Sequence, residues 1–238
     1  MKVMHNNSKS ICIMGLLILS IKKFFKSFLS LMGYMFYFIF PQKLSRWFEV
    51  LYHIIYTSWK KHCFKSFHGI MEGEVKVSGG SFIEVGYNTL IGKRVEFQAI
   101  TKFNEQTFAP RIVIGNNCQV MHDVQISSTN KVLIGNNVGI AARSLITDSV
   151  HGNFNMKSFE YSDGSEIPDV FTKNVFTRDL YSKGPVIIED DVHIAMNCII
   201  LPGVTIGHNS VISANTVVDK NIPPYSIVSG NPCRVISF

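Results

Sequence analysis

Acidic residues are almost missing from the first 68 positions of this 238-residue chain, where Glu49 stands alone against ten Lys and Arg. The remaining positions hold thirteen Lys and Arg against sixteen acids, so the formal net charge of +6 belongs to the N-terminal third. That distribution argues against nucleic-acid binding by the whole chain. A front end this basic and aromatic suits an anionic membrane face better. Cysteine is also sparse. The five cysteines (12, 63, 118, 198 and 233) are odd in number, widely spaced and without a CxxC pair. This argues against a disulfide framework or a zinc knuckle and for a reducing, cytoplasmic compartment. Long apolar runs are missing too. "ICIMGLLILSI" (11–21) and "SFLSLMGYMFYFIF" (27–40) are separated by "KKFFK", and neither reaches the ~18 residues of a confident membrane span. No small-residue cleavage site follows the first run, which disfavours a signal peptide.

What the N-terminal third does contain is helical periodicity. Leu44, Trp47, Phe48, Leu51, Ile54, Ile55 and Trp59 recur at helical spacing with Arg46 and Glu49 off the stripe, and Pro41 marks a break before it. Two readings stay open. Residues 1–68 are a basic, apolar helical appendage packed on its own domain or on a neighbouring subunit, or residues 1–60 make a peripheral contact with a membrane surface.

The rest of the chain follows a different rhythm. Ile188, Ile194, Ile200, Ile206, Ile212 and Val218 recur every six residues, each followed four positions later by a mostly small or β-branched residue. The same phase runs through Val85, Ile91 and Phe97, through Ile114, Val120 and Ile126, and through Ile134, Ile140 and Ile146, with slips near "FAPR" and "TNKV". Gly, Asn, Asp and Pro fill the gaps, the residues that bend a chain. A period of six describes a short strand and a corner, three of which make one triangular coil whose stacked aliphatics fill the interior. One coil cannot bury its own core, so stacking stabilises it. About six coils fit between residues 80 and 230, a prism roughly 30 Å tall at ~4.8 Å per stacked strand. Cys118 and Cys198 fall at the small inward position and read as structural thiols.

The rhythm lapses after Val150 for about thirty residues, and the first residue of the lapse is His151. The segment "GPVIIEDDVHIAMNCIILPGVTIGHNSVISANTVVDKNIPPYSIVSGNPCRVI" (184–236), together with "ITDSVHG" (146–152), resembles the hexapeptide-repeat acyltransferases. Within them it is similar to the maltose/galactoside and xenobiotic acetyltransferase branch and to the O-acetyltransferases of bacterial surface polysaccharides. The resemblance covers residue 80 onward. It implies an all-β left-handed parallel β-helix over 69–238, preceded by the helical region 1–68. A loop spanning 149–184 would protrude over a sizeable acceptor, carrying Phe154, Phe159, Tyr161, Asp163, Glu166, Arg178 and Tyr181. It also implies a homotrimer with active sites between subunits.

The chemistry implied is O-acetylation of a carbohydrate hydroxyl with acetyl-CoA as donor and no metal, for a surface polysaccharide such as capsule or O-antigen. N-acetylation of an amino sugar or nucleotide-sugar is the alternative. In the family, a histidine on such a loop is the general base, which makes His151 its counterpart. A neutral imidazole can take the acceptor's proton near pH 7 with no covalent enzyme intermediate. Asp148 either orients that imidazole or closes the strand with an Asx turn. Asp123 matches an acceptor-binding position, and His122 beside it reads as a solvated corner. Ala195 and Ala214 match small positions along the pantetheine arm, and Lys220 and Arg234 match basic positions that meet the coenzyme A phosphates. "VHIA" stands where the family usually shows "VWIG", so His193 replaces a tryptophan and Ala195 a glycine. A γ-type carbonic anhydrase is disfavoured because His122, His151, His193 and His208 lack HxxxxH spacing. A non-catalytic β-helix scaffold would leave "ITDSVHG" without a reason.

Overall fold

The computed structural model describes residues 22–35, 42–152 and 174–236. The chain divides into two compact units, one running to Tyr52 and the other from His53 onward. In the first unit, residues 22–35 form helix α1, along which the Phe24 and Phe28 rings stack with centroids 6.5 Å apart. Helix α2, Gln42–Lys60, begins in that unit and continues into the second. No described helix is long and apolar enough to cross a membrane. The apolar run 11–21 lies outside the described residues.

From Ser66 the chain winds through three parallel sheets in strict rotation. Sheet A holds Ser66–Phe67, Ile83–Val85, Arg111–Ile114, Lys131–Ile134, Val186–Ile188 and Thr205–Ile206. Sheet B runs from Ile70–Met71 to Ile227–Ser229, and Arg234–Ile236 folds back antiparallel to close it. Sheet C holds Lys76–Ser78, Glu96–Ala99, Gln125–Ser128, Leu145–Thr147, Ile199–Ile200 and Val217–Val218. This is the stacked triangular coil that the hexapeptide rhythm predicts, and its three parallel sheets are consistent with the left-handed β-helix that the family resemblance implies.

The register explains the rhythm. Val85, Ile114, Ile134, Ile188 and Ile206 pair in sequence up sheet A. Met71, Ile91, Val120, Ile140, Ile194 and Ile212 do so up sheet B. In sheet C, Phe97, Ile126, Ile146, Ile200 and Val218 form the third column. All of these side chains are buried in one continuous core, each contributing about 1.5–3 kcal/mol by leaving water.

Corner geometry fixes the other residue types. At the A-to-B corners Asn88, Asn117, Asn137, Asp191 and Asn209 take φ between 54° and 60°, a left-handed conformation that Asn and Asp tolerate better than most residues. Their side chains form a ladder from coil to coil, Asn88 donating to Asn117, Asn117 to Asn137 and Asn137 to Asp191. Gly115 is required by close approach, since a Cβ there would lie 2.4 Å from the Gly135 carbonyl oxygen. Cys118 and Cys198 face inward, fully buried. Their thiols donate to the Gly135 and Ser213 carbonyls at 3.1 Å, and burial pushes both thiol pKa values up. They are structural thiols.

Candidate active site

The C-to-A corner is where the prism departs from its own rule. Between Ser128 and Lys131 the chain turns in two residues. After Thr147, sheet A is not rejoined until Val186. The first residue of that departure, Asp148, is completely buried. Its Oδ2 accepts from Ser128 Oγ at 2.6 Å and from the Asn130 N–H at 2.8 Å. Its Oδ1 accepts from the Thr129 N–H at 2.7 Å and from Thr129 Oγ1 at 3.1 Å. Asp148 therefore grips the corner of the preceding coil, and none of these bonds goes to His151.

Three residues later the excursion is closed at its base. Val150–His151 pairs antiparallel with Leu180–Tyr181, and the Gly152 N–H donates to the Asp179 carbonyl at 2.8 Å. Gly152 takes φ +87°, where a Cβ would be strained. His151 is thus held at the base of the loop, with its side chain exposed. Phe154, Phe159, Tyr161, Asp163 and Glu166 lie outside the described residues.

A second departure, which the hexapeptide phase registers only as a slip, stands beside it. Residues 100–110 leave the same corner two coils earlier and form the hairpin Lys102–Phe103/Gln106–Thr107. The Phe103 ring meets the His151 ring edge-on, with centroids 5.2 Å apart. Gln106 reaches across to the other strand of the loop base. Its Oε1 accepts the Leu180 N–H at 2.7 Å, and its Nε2 donates to the Leu180 carbonyl at 3.1 Å. A side-chain amide here substitutes for a third strand. Phe103 and Gln106 were not among the residues expected from sequence. The available signal was length, eleven residues at this corner against two in the next coil.

His151 borders two cavities. One, of about 380 Å³, lies on the outer face of sheet C and is lined by Gln98, Gln125, Ser127, Thr147, Ser149 and His151 among others. The other, of about 410 Å³, lies at the hairpin, where Gln98, Lys102, Phe103, His151 and Leu180 contribute. Amides and hydroxyls dominate the polar lining, suited to hydrogen-bonding a polyhydroxylic ligand. Among the described residues the His151 ring makes no hydrogen bond, and its edge-on neighbour is Phe103.

The other expected residues distribute over the two edges of sheet C. Asp123 sits at the opposite, B-to-C corner with φ +61°, where Arg94 holds it in a two-point bond, Nε to Oδ1 at 2.6 Å and Nη2 to Oδ2 at 2.8 Å. His122 Nδ1 lies 2.7 Å from Oδ2. These neighbours, Arg94 first, hold the Asp123 carboxyl far below the usual range. Ala195 and Ala214 follow on the same ridge in successive coils, at the ends of paired strands His193–Ile194 and Val211–Ile212. Arg234 opposes Ser229 at the C-terminal end of that ridge. Lys220 stands apart, exposed at the C-to-A corner after Val217–Val218. Among the described residues, no three His, Cys, Asp or Glu side chains converge as a metal site.

Residues 185–220 match the bacterial transferase hexapeptide family (six repeats). Over 155 residues the chain is 34% identical to a galactoside O-acetyltransferase of Escherichia coli (strain K12), covering 65% of this chain and 63% of that one. Over 125 residues it is 35% identical to WbbJ of the same strain, whose name assigns it provisionally to lipopolysaccharide biosynthesis as an O-acetyl transferase; the match covers 52% of this chain and 59% of WbbJ. The chain thus spans about three fifths of the length of these curated relatives. In fold it is similar to AntD, an N-acyltransferase from Bacillus cereus, with a TM-score of 0.58 at 19% identity over 76% of this chain and 87% of AntD. By repeat, register and sequence, the chain is similar to the hexapeptide-repeat acyltransferases.

Proposed function

We propose that this protein is an acetyl-CoA-dependent O-acetyltransferase acting on a carbohydrate hydroxyl, with His151 as general base. The observation that carries the proposal is the exposed His151 side chain, fixed at the base of a zipped loop beside two cavities with polar linings. The likeness to a galactoside O-acetyltransferase supports the sugar acceptor, and the likeness to WbbJ supports a precursor of a surface polysaccharide. Acetyl-CoA places the reaction on the cytoplasmic side.

In the proposed step a ring nitrogen of His151 takes the proton of the acceptor hydroxyl as its oxygen attacks the thioester carbon. The tetrahedral oxyanion then collapses, the carbon–sulfur bond breaks, and the proton leaves with the coenzyme A thiol. The products are an acetyl ester and free coenzyme A. Gln98, Ser127 and Thr147 offer hydrogen bonds to the sugar from the sheet C wall. Phe103 and Gln106 are positioning residues, the first limiting the ring's rotation and the second fixing the strand that pairs with His151.

Asp123, Ala195 and Ala214 lie on the far edge of sheet C from His151, so a site using both edges is completed by a second prism. A homotrimer provides that arrangement three times. The alanines leave the ridge low enough for the pantetheine arm, while Arg234 and Lys220 meet its phosphates.

The test follows coenzyme A release with galactosides, other sugars, nucleotide-sugars and lipid-linked sugars. His151→Ala is expected to lower turnover by roughly 10²–10⁴-fold while its circular dichroism is unchanged. Full activity in that variant refutes the assigned base.

A further inference from the structure

An amphipathic helix beside a folded domain ordinarily turns its apolar stripe inward. Helix α2 does the reverse. In its second half, the face carrying Tyr56 and Thr57 is the docked one. Tyr56 packs against the prism core, and its hydroxyl accepts the Val75 N–H at 2.9 Å. Thr57 Oγ1 accepts the Met71 N–H at 2.9 Å and donates to the Met71 carbonyl at 3.4 Å. At 100° per residue the opposite face carries Trp47, Leu51, Ile54 and Ile55, with Phe48 and Trp59 along one margin. All six are exposed, Ile55 at 59%, Trp59 at 69% and Trp47 at 72%. The hydrogen bonds to the first coil fix the second half of the helix about its own axis, so Ile54, Ile55 and Trp59 point away from the prism.

Charge identifies what covers it. Lys22, Lys23 and Lys26 of α1, with Arg46, Lys60 and Lys61 in and just after α2, are set against a single acid, Glu49, among residues 1–68. Along α1 the three lysines fall on one side, and Phe24, Phe28, Leu31 and Met35 fall on the other, all exposed. A second copy of the chain would bring like charges together at such a face. An anionic lipid surface complements them, takes the apolar side chains below the headgroups and suits Trp at the boundary. Lys60, whose ammonium stands 5.6 Å from the centre of the Trp59 ring, pairs a cation with the aromatic at that boundary.

We infer that the exposed apolar face of α2, with the basic amphipathic α1, is a docking surface for an anionic lipid bilayer. This inference is independent of the proposed acyl transfer. The full-length protein is tested by flotation with phosphatidylcholine vesicles, with and without about one third phosphatidylglycerol. Binding is expected to the anionic vesicles only, and raising NaCl from about 0.1 M to about 0.5 M should weaken it. Ile55→Asp with Trp59→Asp should lower the apparent lipid affinity at least about tenfold. Lys22→Gln with Lys23→Gln and Lys26→Gln, all at exposed positions, should lower it severalfold, which keeps the test open if the first variant folds poorly. Three outcomes overturn the inference: no binding to anionic vesicles, equal binding to neutral ones, or a double variant that changes oligomeric state in sedimentation while lipid binding persists. The last assigns the face to a second copy.

Discussion

The two edges of sheet C are made by the same coils and have opposite characters. At the B-to-C edge every turn obeys the repeat. Arg94, Asp123, Arg143, Asn197 and Asn215 all take φ near +60°, and from Asp123 onward each turn bonds to the one before it, as in Asp123 N–H to the Lys93 carbonyl and Asn215 N–H to the Met196 carbonyl. At the C-to-A edge the chain leaves twice, over 100–110 and over 148–185. A repeating wall is rigid, but its outward side chains are set by the repeat and all stand at one height. A group that must reach over a cleft has to come from a departure, and each departure here is tied back at named points. Asp148 ties it to the preceding corner, Gly152 to Asp179, and Gln106 to Leu180.

If those ties are what separates the two edges, cutting the strongest should matter most. Asp148→Ala strands three buried donors of Ser128 and Thr129 and a half-buried one of Asn130, a loss of ~3 kcal/mol or more. For a chain of this size that corresponds to a fall in Tm of about 6–12 °C, readable by thermal denaturation. Asp148→Asn should recover part of it, because an amide oxygen still accepts while its NH₂ meets donors. An alanine variant as stable as wild type would remove Asp148 from the anchoring role.

Gln106→Ala cuts a more exposed tie and should cost only ~1 kcal/mol of stability. Its effect is expected in turnover, down about tenfold with little change in the KM for acetyl-CoA, because a base moved by an ångström loses its alignment. Gln106→Glu keeps the acceptor for the Leu180 N–H and loses the donor, so it should fall between the two. Equal losses of turnover and stability would make Gln106 merely structural. On the regular edge the pattern inverts. Ala214→Leu, at an exposed position, should leave Tm unchanged and raise the KM for acetyl-CoA severalfold, because the larger side chain obstructs the ridge.

The same contrast explains what could be read from sequence. The columns headed by Val85, Ile91 and Phe97 were legible because one buried aliphatic per strand is a one-dimensional constraint. His151 stood out because it opens the longer lapse in phase. The role of Asp148 stayed open between orienting the histidine and closing a turn, because its partners at 128–130 lie about twenty residues away. Gln106 was hidden more completely, its partner being 74 residues on. For α2 the apolar stripe was plain, yet which side faces the prism depends on two hydrogen bonds to the first coil. Periodicity records what repeats. Ties across departures do not repeat.

The smallest effect lies on the regular edge, at Asp123. Its carboxyl is half-exposed and drawn down by Arg94 and His122. A carboxyl whose folded pKa is depressed adds stability that is fully present above its unfolded value, ~3.9. That stability is lost as pH falls through the folded value. Wild type should therefore exceed Asp123→Asn in Tm by a small margin at pH 5, the margin narrowing as pH falls below ~3.9 toward the depressed folded value and shrinking with salt at pH 5. The same variant probes whether the two edges meet. If a neighbouring prism brings its His151 over this corner, Asp123→Asn should raise the KM for the sugar while sparing that for acetyl-CoA. If Asp123 only braces Arg94, the acid-limb difference should be the whole effect, and Arg94→Ala should reproduce it.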